Sequence, residues 1–158
     1  MSAPAGADRE LRAEAVVDAP ADRVWELLSD LSRMRYWSPE LVRMVPLRSG
    51  GLRVGQSYLG INRRKAVVWP SRSVVAVLEP GRSLVWDTKT SGARWVWELT
   101  PDGDRTLVVH RRPVPRNLTA ISNLFARGFL GGTEGHADEL EAGMARTVAR
   151  LKAAAEGR

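Results

Sequence analysis

Apolar residues alternate with polar ones through most of the chain up to Pro113 and recur every three or four residues beyond it. The alternation predicts a first strand over Glu10–Val17 and, after an interval, an antiparallel meander, because short turn sequences and no helical pattern separate its runs. The six meander strands are predicted at Leu41–Leu47, Gln56–Arg63, Ala66–Leu78, Ser83–Thr88, Arg94–Thr100 and Thr106–Pro113.

Helical spacing marks the regions outside the strands. Two short helices are predicted before the meander, one beginning at Pro20 and ending near Ser29, the other at Leu31–Trp37, where Pro39 stops it. A further helix is predicted from Leu118 to Phe129. The last helix begins at Thr133 and carries one apolar stripe: Ala137, Leu140, Met144, Val148, Leu151 and Ala155.

This order of elements predicts an α+β fold in which a curved antiparallel sheet of about six or seven strands wraps around a long C-terminal helix. Curvature of the sheet leaves an internal cavity against the helix, and an apolar ligand can lie there. The 158 residues fit one domain over residues 9–156, and the small residues of 1–8 predict a disordered tail.

Composition restricts the chemistry. The chain has no cysteine, which removes disulfides, thiolate metal sites and cysteine nucleophiles. Its two histidines lack metal-binding spacing, and neither a phosphate loop nor a serine-nucleophile elbow is present, so we expect no metal and no cofactor. No apolar run approaches the roughly 20 residues of a membrane span, and no signal peptide is evident; these features predict a cytoplasmic protein. The sequence leaves monomer and homodimer open.

The net charge of +6 has two parts. Only three of the 24 basic residues are lysines, an arginine excess that codon usage explains. The charge is nevertheless uneven, since a basic band from Arg33 to Arg72 contains Glu40 as its single acid. Nucleic-acid binding through this band, at residues 63–65 and Arg72, is a distant alternative, because no nucleic-acid motif accompanies the charge. We therefore expect no nucleic-acid partner.

Several short motifs together resemble the polyketide cyclase/dehydrase branch of the START-like (SRPBCC) superfamily. They occur in order at residues 16–20 (VVDAP), 24–30 (VWELLSD), 36–40 (YWSPE), 60–64 (GINRR), 79–82 (EPGR) and 135–152. The resemblance covers Arg12 to Glu156 and implies a helix-grip fold with a deep cavity for hydrophobic small molecules. It does not imply one activity, because binders, transporters and cyclases share that fold.

Residue alternation suggests which side chains face the cavity. Trp95 and Trp97 share one face of their strand, and Trp86 occupies one face of the preceding strand. We place these faces inward, since an indole buries roughly 200 Å²; core filling and ligand stacking are both open roles. Tyr58 and Asn62 share a face, and Asn62 either binds a ligand carbonyl or hydroxyl or closes a nearby turn.

In the last strand, His110 and Arg112 lie on one face, and alternation leaves open whether that face is the inner one. Some relatives carry an acidic residue near the position of His110, so the histidine departs from their pattern. It becomes a local acid/base candidate, with an unperturbed pKa of ~6.5, and Arg112 a group that could polarise a carbonyl.

The remaining candidates come from the helices. The resemblance implies that Tyr36 and Trp37 line one end of the cavity, while helical spacing adds Phe125 and Phe129 on a possible lid and Leu140 and Met144 on the last helix. The leading hypothesis is binding of a hydrophobic, aromatic or polyketide-like small molecule. The alternative is a polyketide cyclase or dehydratase that uses the acid/base residues without a metal.

Overall fold

The computed structural model describes residues 9–114 and 133–157, with side chains in the second segment from residue 137. The strands are β1 (Leu11–Val17), β2 (Leu41–Pro46), β3 (Ser57–Arg64), β4 (Val67–Glu79), β5 (Ser83–Thr88), β6 (Ala93–Asp102) and β7 (Arg105–Arg112). The α-helices are α1 (Ala21–Leu28), α2 (Met34–Trp37) and α3 (Thr133–Ala155), and a 3-10 turn over Leu31–Arg33 leads into α2. The predicted helix from Leu118 to Phe129 lies outside the described residues.

The seven described strands form one antiparallel sheet in the order β1-β7-β6-β5-β4-β3-β2. Strands β2 to β7 are a simple meander, and β1 joins it beside β7, with Ala13 opposite His110. The sheet does not close into a barrel, so β1 and β2 are its two edges. These features confirm the α+β prediction of a curved antiparallel sheet with a long C-terminal helix.

Strand β4 accommodates a proline and a bend. Pro70 pairs with Ile61 of β3, whereas pairing with β5 begins only at Ser73 opposite Thr88. Pro70 therefore lies where β4 has no partner on its other side, the edge position in which a missing N–H is tolerated. A register shift between Val75 and Val77 bends the strand further along.

Helix α3 covers the sheet mainly from the β1 side. Its closest backbone approaches are to β1, with further contacts to α1 and α2 and a smaller one to β7. The predicted apolar stripe is confirmed: five of its members are buried and Leu140 is partly buried. Arg9 fixes the start of the helix through Glu141 (2.8 Å) and Asp138 (2.9 Å). Within the described residues, α3 makes no comparably close approach to the central strands β4, β5 and β6.

Gly60 marks a close approach between β3 and β4. It pairs with Ser71, and a Cβ atom built on Gly60 would lie 2.7 Å from the Ser71 Oγ. The next neighbour, Leu41 Cδ1, is 3.5 Å away, an ordinary contact distance. Glycine is therefore favoured at this position because the hydroxyl group of Ser71 occupies the space that a Cβ atom would need.

We expect Gly60→Ala to destabilise the fold by about 1–3 kcal/mol, the usual cost of forcing an extra carbon into a packed site. The same substitution in a Ser71→Ala background should cost less, because the clashing Oγ is gone. Urea denaturation of the two single variants and the double variant measures this coupling. Equal costs of Gly60→Ala in both backgrounds would contradict the steric explanation.

Candidate functional site

The inner face of the sheet, which is turned towards α3, carries the three tryptophans that are predicted to face inward. Trp97 lies opposite Leu84 on β5 and opposite His110 on β7, and Trp86 lies opposite Trp95. Residues directly opposite in an antiparallel pair project to the same face. The inward assignment of these tryptophans is therefore confirmed, since all three belong to or pack against the buried core.

The register also decides the orientation of β7. His110 is opposite Trp97, so it shares the inner face, and Arg112 follows two residues later on the same side. Arg112 lies opposite Leu11 of β1, which is fully buried. The alternative that alternation left open, with His110 and Arg112 on the outer face, is excluded.

The imidazole of His110 is held in a fixed orientation. Its ring stacks on Trp97 with centroids 3.8 Å apart and lies 5.8 Å from the ring of Trp95. Its Nδ1 is 3.0 Å from the backbone carbonyl oxygen of Val96. Because a carbonyl can only accept, Nδ1 carries the hydrogen and donates it, which leaves Nε2 as an acceptor. Burial lowers the pKa of His110 to about 4, against a smaller opposing effect of the Val96 hydrogen bond.

Arg112 and its neighbour Arg111 have opposite environments. Arg111 points outward and donates to Glu98 at 2.7 Å and to Glu10 at 2.8 Å. The Nε of Arg112 is buried without a hydrogen-bond partner, and its guanidinium carbon lies 5.7 Å from the Trp95 ring. Burial lowers the pKa of the Arg112 side chain. In the described part of the chain, no carboxylate neutralises this arginine.

Accessibility varies along the inner face. Trp97, Leu84 and Val108 are fully buried, whereas Trp95 and Arg112 are only partly buried. The tryptophan–histidine stack therefore belongs to the packed core, whereas Trp95 and Arg112 retain partial exposure.

Hydroxyl and amide groups line the inner face on the other side of Trp86. Asn62 donates from Nδ2 to the Ser71 hydroxyl at 3.0 Å and to the Trp69 carbonyl oxygen at 3.3 Å. The hydroxyls of Ser73 and Thr88 are 2.9 Å apart. The Asn62 amide group thus ties β3 to β4, a cross-strand contact that differs from the turn-closing hydrogen bond considered from sequence. Ser71 and Ser73 were missed, although their alternation with Pro70 and Arg72 could have revealed them.

The residues predicted from the helices fall in different places. Tyr36 is 60% exposed and Trp37 only 4%, and both border a groove formed by helices rather than strands. Met144 is buried in the core and Leu140 packs against it, while Phe125 and Phe129 lie outside the described residues.

Tyr58 is buried on β3, and burial raises the pKa of its phenol.

The basic band contains one partly buried acid. Burial raises the pKa of Glu40, and the charges of Arg64 and Arg146 oppose that shift. Arg64 also contacts Glu139 on α3. Among the described residues, no three histidine or carboxylate side chains cluster as metal ligands, and no helix is long and apolar enough to cross a membrane.

Comparison with known proteins places this geometry in context. The sequence profile described as polyketide cyclase / dehydrase and lipid transport matches residues 8–156. No curated protein matches the sequence. The Zhui aromatase/cyclase from Streptomyces sp. R1128 superposes with a TM-score of 0.68 at 22% identity, covering 95% of this chain and 94% of that one.

Two other solved structures share the fold. A polyketide cyclase-like protein from Corynebacterium glutamicum has a TM-score of 0.63 at 21% identity over 95% of this chain and 91% of that one. The di-domain ARO/CYC StfQ from the steffimycin biosynthetic pathway has a TM-score of 0.72 at 18% identity. Here the match covers 96% of this chain but 52% of that protein.

The lowered pKa of His110 makes the stability of the protein depend on pH. The unfolded state, with a histidine pKa near 6.5, binds more protons than the folded state between about pH 6.5 and 4. Titration of His110 therefore does not lower the free energy of unfolding above pH 6.5. As the pH falls towards 4, it lowers that free energy by about 3 kcal/mol. Urea denaturation from pH 7.5 to 4 should show this slope in the wild type.

The control is His110→Asn, whose amide nitrogen can still donate to Val96 but does not titrate. We expect this variant to be less stable at neutral pH, through the lost stacking, and to lack the histidine contribution to the slope. Asp87 and Glu141, whose pKa values are lowered by arginine partners, also lose stabilisation in acid, but equally in both proteins. An unchanged difference between the two proteins across this pH range would refute the assignment.

Proposed function

The chain belongs to the polyketide cyclase / dehydrase and lipid transport family, and we propose that it binds a hydrophobic, aromatic or polyketide-like small molecule against the inner face of the sheet. The observation that carries the proposal is Arg112, an inward-facing arginine with a buried Nε and no hydrogen-bond partner. The proposed site lies between Arg112, Trp95 and the adjoining part of the inner face.

An unpaired arginine is costly in a folded protein. Removing a cation from water is compensated only when an anion or several acceptors replace the lost hydration. The described part of this chain supplies no acceptor for the Nε of Arg112. A ligand oxygen, from a ketone, an enolate or a carboxylate, would supply it, and the guanidinium would orient that oxygen.

The aromatic side chains favour a flat ligand. Trp97 is committed to the stack with His110, but Trp95 is partly exposed and already lies under the Arg112 guanidinium. An aromatic ring can stack offset on such an indole while its carbonyl reaches the arginine. Trp86, directly opposite Trp95, extends the same surface. This combination selects a planar molecule with an oxygen at its edge.

The second candidate function is cyclisation or dehydration of a polyketide-like chain, and the feature that favours it is the Nε2 lone pair of His110, to which no described residue donates. With Nδ1 donating to Val96, Nε2 can accept a hydrogen bond or a proton. A pKa of about 4 makes the free imidazole a weak base at neutral pH. Its first role would be to accept a hydrogen bond from a ligand hydroxyl, so ligand binding ranks above catalysis.

To test binding, we expect 1,8-dihydroxyanthraquinone to quench the tryptophan fluorescence of the protein in a saturable way. Replacement of Arg112 by methionine keeps an apolar stem over Trp95 but removes the donors, and it should weaken binding at least tenfold. A charge-assisted hydrogen bond of about 1.5–3 kcal/mol gives this magnitude.

The matched control is Arg111→Met, which removes the same charge from the outer face one residue away. This variant should bind as the wild type does, although the lost contacts with Glu98 and Glu10 should lower its stability slightly. Equal weakening in both variants, or no saturable quenching by the wild type, would speak against the proposed site.

Catalysis is tested separately with a linear poly-β-ketone thioester, with cyclised product followed by chromatography and mass spectrometry. If His110 accepts a proton during the reaction, His110→Asn should lower turnover at least a hundredfold, within the range of general-base effects. Affinity for the anthraquinone should change much less. Unchanged turnover in this variant would remove His110 from the reaction.

A further inference from the structure

A groove of about 720 Å³ lies between the helices, away from the inner face of the sheet. Its walls come from α1, the turn into α2, α2 itself and the C-terminal part of α3, and no strand residue contributes. The groove is therefore a separate candidate site, and it does not depend on the proposed ligand of the inner face. The groove is open to solvent over much of its extent, so a ligand there would keep part of its surface exposed.

The groove combines an apolar floor with a cationic rim. Leu27 and Trp37 are buried in the floor, beside alanines of α3. Arginines from three different elements border the groove: Arg23, Arg33 and Arg150. Guanidinium groups at the border of an apolar surface suit an amphiphilic anion, because the head group and the chain can meet different surfaces.

The rim arginines keep hydrogen-bond donors free. Arg23 approaches Glu26 only to 3.7 Å, which is beyond hydrogen-bond distance, and Arg33 approaches Asp30 through Nε at 3.2 Å. Arg150 has no ion pair within the described part of the chain. Each carboxylate lies three residues from its arginine along the chain, and neither is part of the groove lining. An anion in the groove would thus meet Arg150 outside any described ion pair, whereas Arg23 and Arg33 each already approach one carboxylate.

The floor contains a second unused donor. Trp37 is only 4% exposed, and its Nε1 is buried without a hydrogen-bond partner. Buried indole N–H groups are usually paired, but the Nε1 of Trp97 in the packed core also lacks a partner, so the groove assignment rests on its arginines and apolar floor.

We propose that this groove binds an amphiphile with one anionic head group, a carboxylate or a phosphate, and an apolar chain. The head group pairs with Arg33 and Arg150 at the rim, with Arg23 beside them. The chain lies along Leu27 and Trp37. The ligand chemistry is the same for a free fatty acid and for a lipid with an anionic head group.

The test uses the full-length chain labelled with ¹⁵N, whose six tryptophans give six indole N–H signals. Trp37→Phe assigns the Trp37 signal. Decanoate, titrated below its micelle concentration, should shift that signal saturably. The double variant Arg33→Gln/Arg150→Gln should weaken binding at least tenfold, whereas Arg146→Gln, one turn away on α3 and outside the groove, should not.

Three further results bear on the proposal. Decyl phosphate should bind like decanoate, and decanol should bind at least tenfold more weakly; equal binding of decanol would refute an anionic site. Shifts confined to Trp95 and Trp97 would place the ligand on the inner face and overturn the groove assignment. Binding to phosphatidylglycerol vesicles without binding of monomeric decanoate would identify a membrane surface as the partner and would also overturn it.

Discussion

Between β6 and β7, the imidazole of His110 lies against the indole of Trp97, and its Nδ1–H is donated to the carbonyl of Val96. This contact joins neighbouring strands through both a ring stack and a hydrogen bond in a buried environment. A slip of one residue would break both and would turn every β7 side chain to the opposite face. The pair therefore fixes which side chains of β7 face α3, and the placement of Arg112 follows from it.

The same contact determines the chemical state of the histidine. Burial disfavours the charged imidazolium, and the hydrogen bond to Val96 selects the tautomer with a free Nε2. His110 thus faces the inside of the protein as an acceptor and not as a cation. Arg112 is the only positively charged side chain of β7 that lies on the inner face. A ligand with both an acceptor for arginine and a hydroxyl for histidine would satisfy the two groups together.

The order and approximate bounds of the strands and helices could be predicted, because they depend on residues close together in the sequence. Alternation and turn residues located the strands, and the 3-4 spacing located α3 with its buried stripe. The faces of β5 and β6 followed from the size of their tryptophans. The orientation of β7 could not be predicted in the same way, since Val108 and Val109 are both apolar and both buried. Only its register with β6 and β1 separates the two faces.

Side-chain partners that depend on pairing between strands were harder to predict. The hydrogen bond from Asn62 to Ser71 exists because β3 and β4 pair in one particular register, which no local pattern encodes. Likewise, the adjacent Tyr36 and Trp37 differ greatly in exposure, because successive residues of a helical turn point about 100° apart. Sequence proximity grouped them, and helical geometry separates them.

Arginine is abundant throughout this chain, so its presence at any one position carries little information. Its surroundings are informative: Arg111 engages two glutamates on the outer face, and Arg112, the next residue, has a buried Nε with no partner on the inner face. A bias towards arginine codons explains the presence of both residues, but it does not offset the cost of leaving the buried Nε of Arg112 without an acceptor. A partner from outside the described chain would offset it, which makes Arg112, rather than the basic band as a whole, the charge that points to a ligand on the inner face.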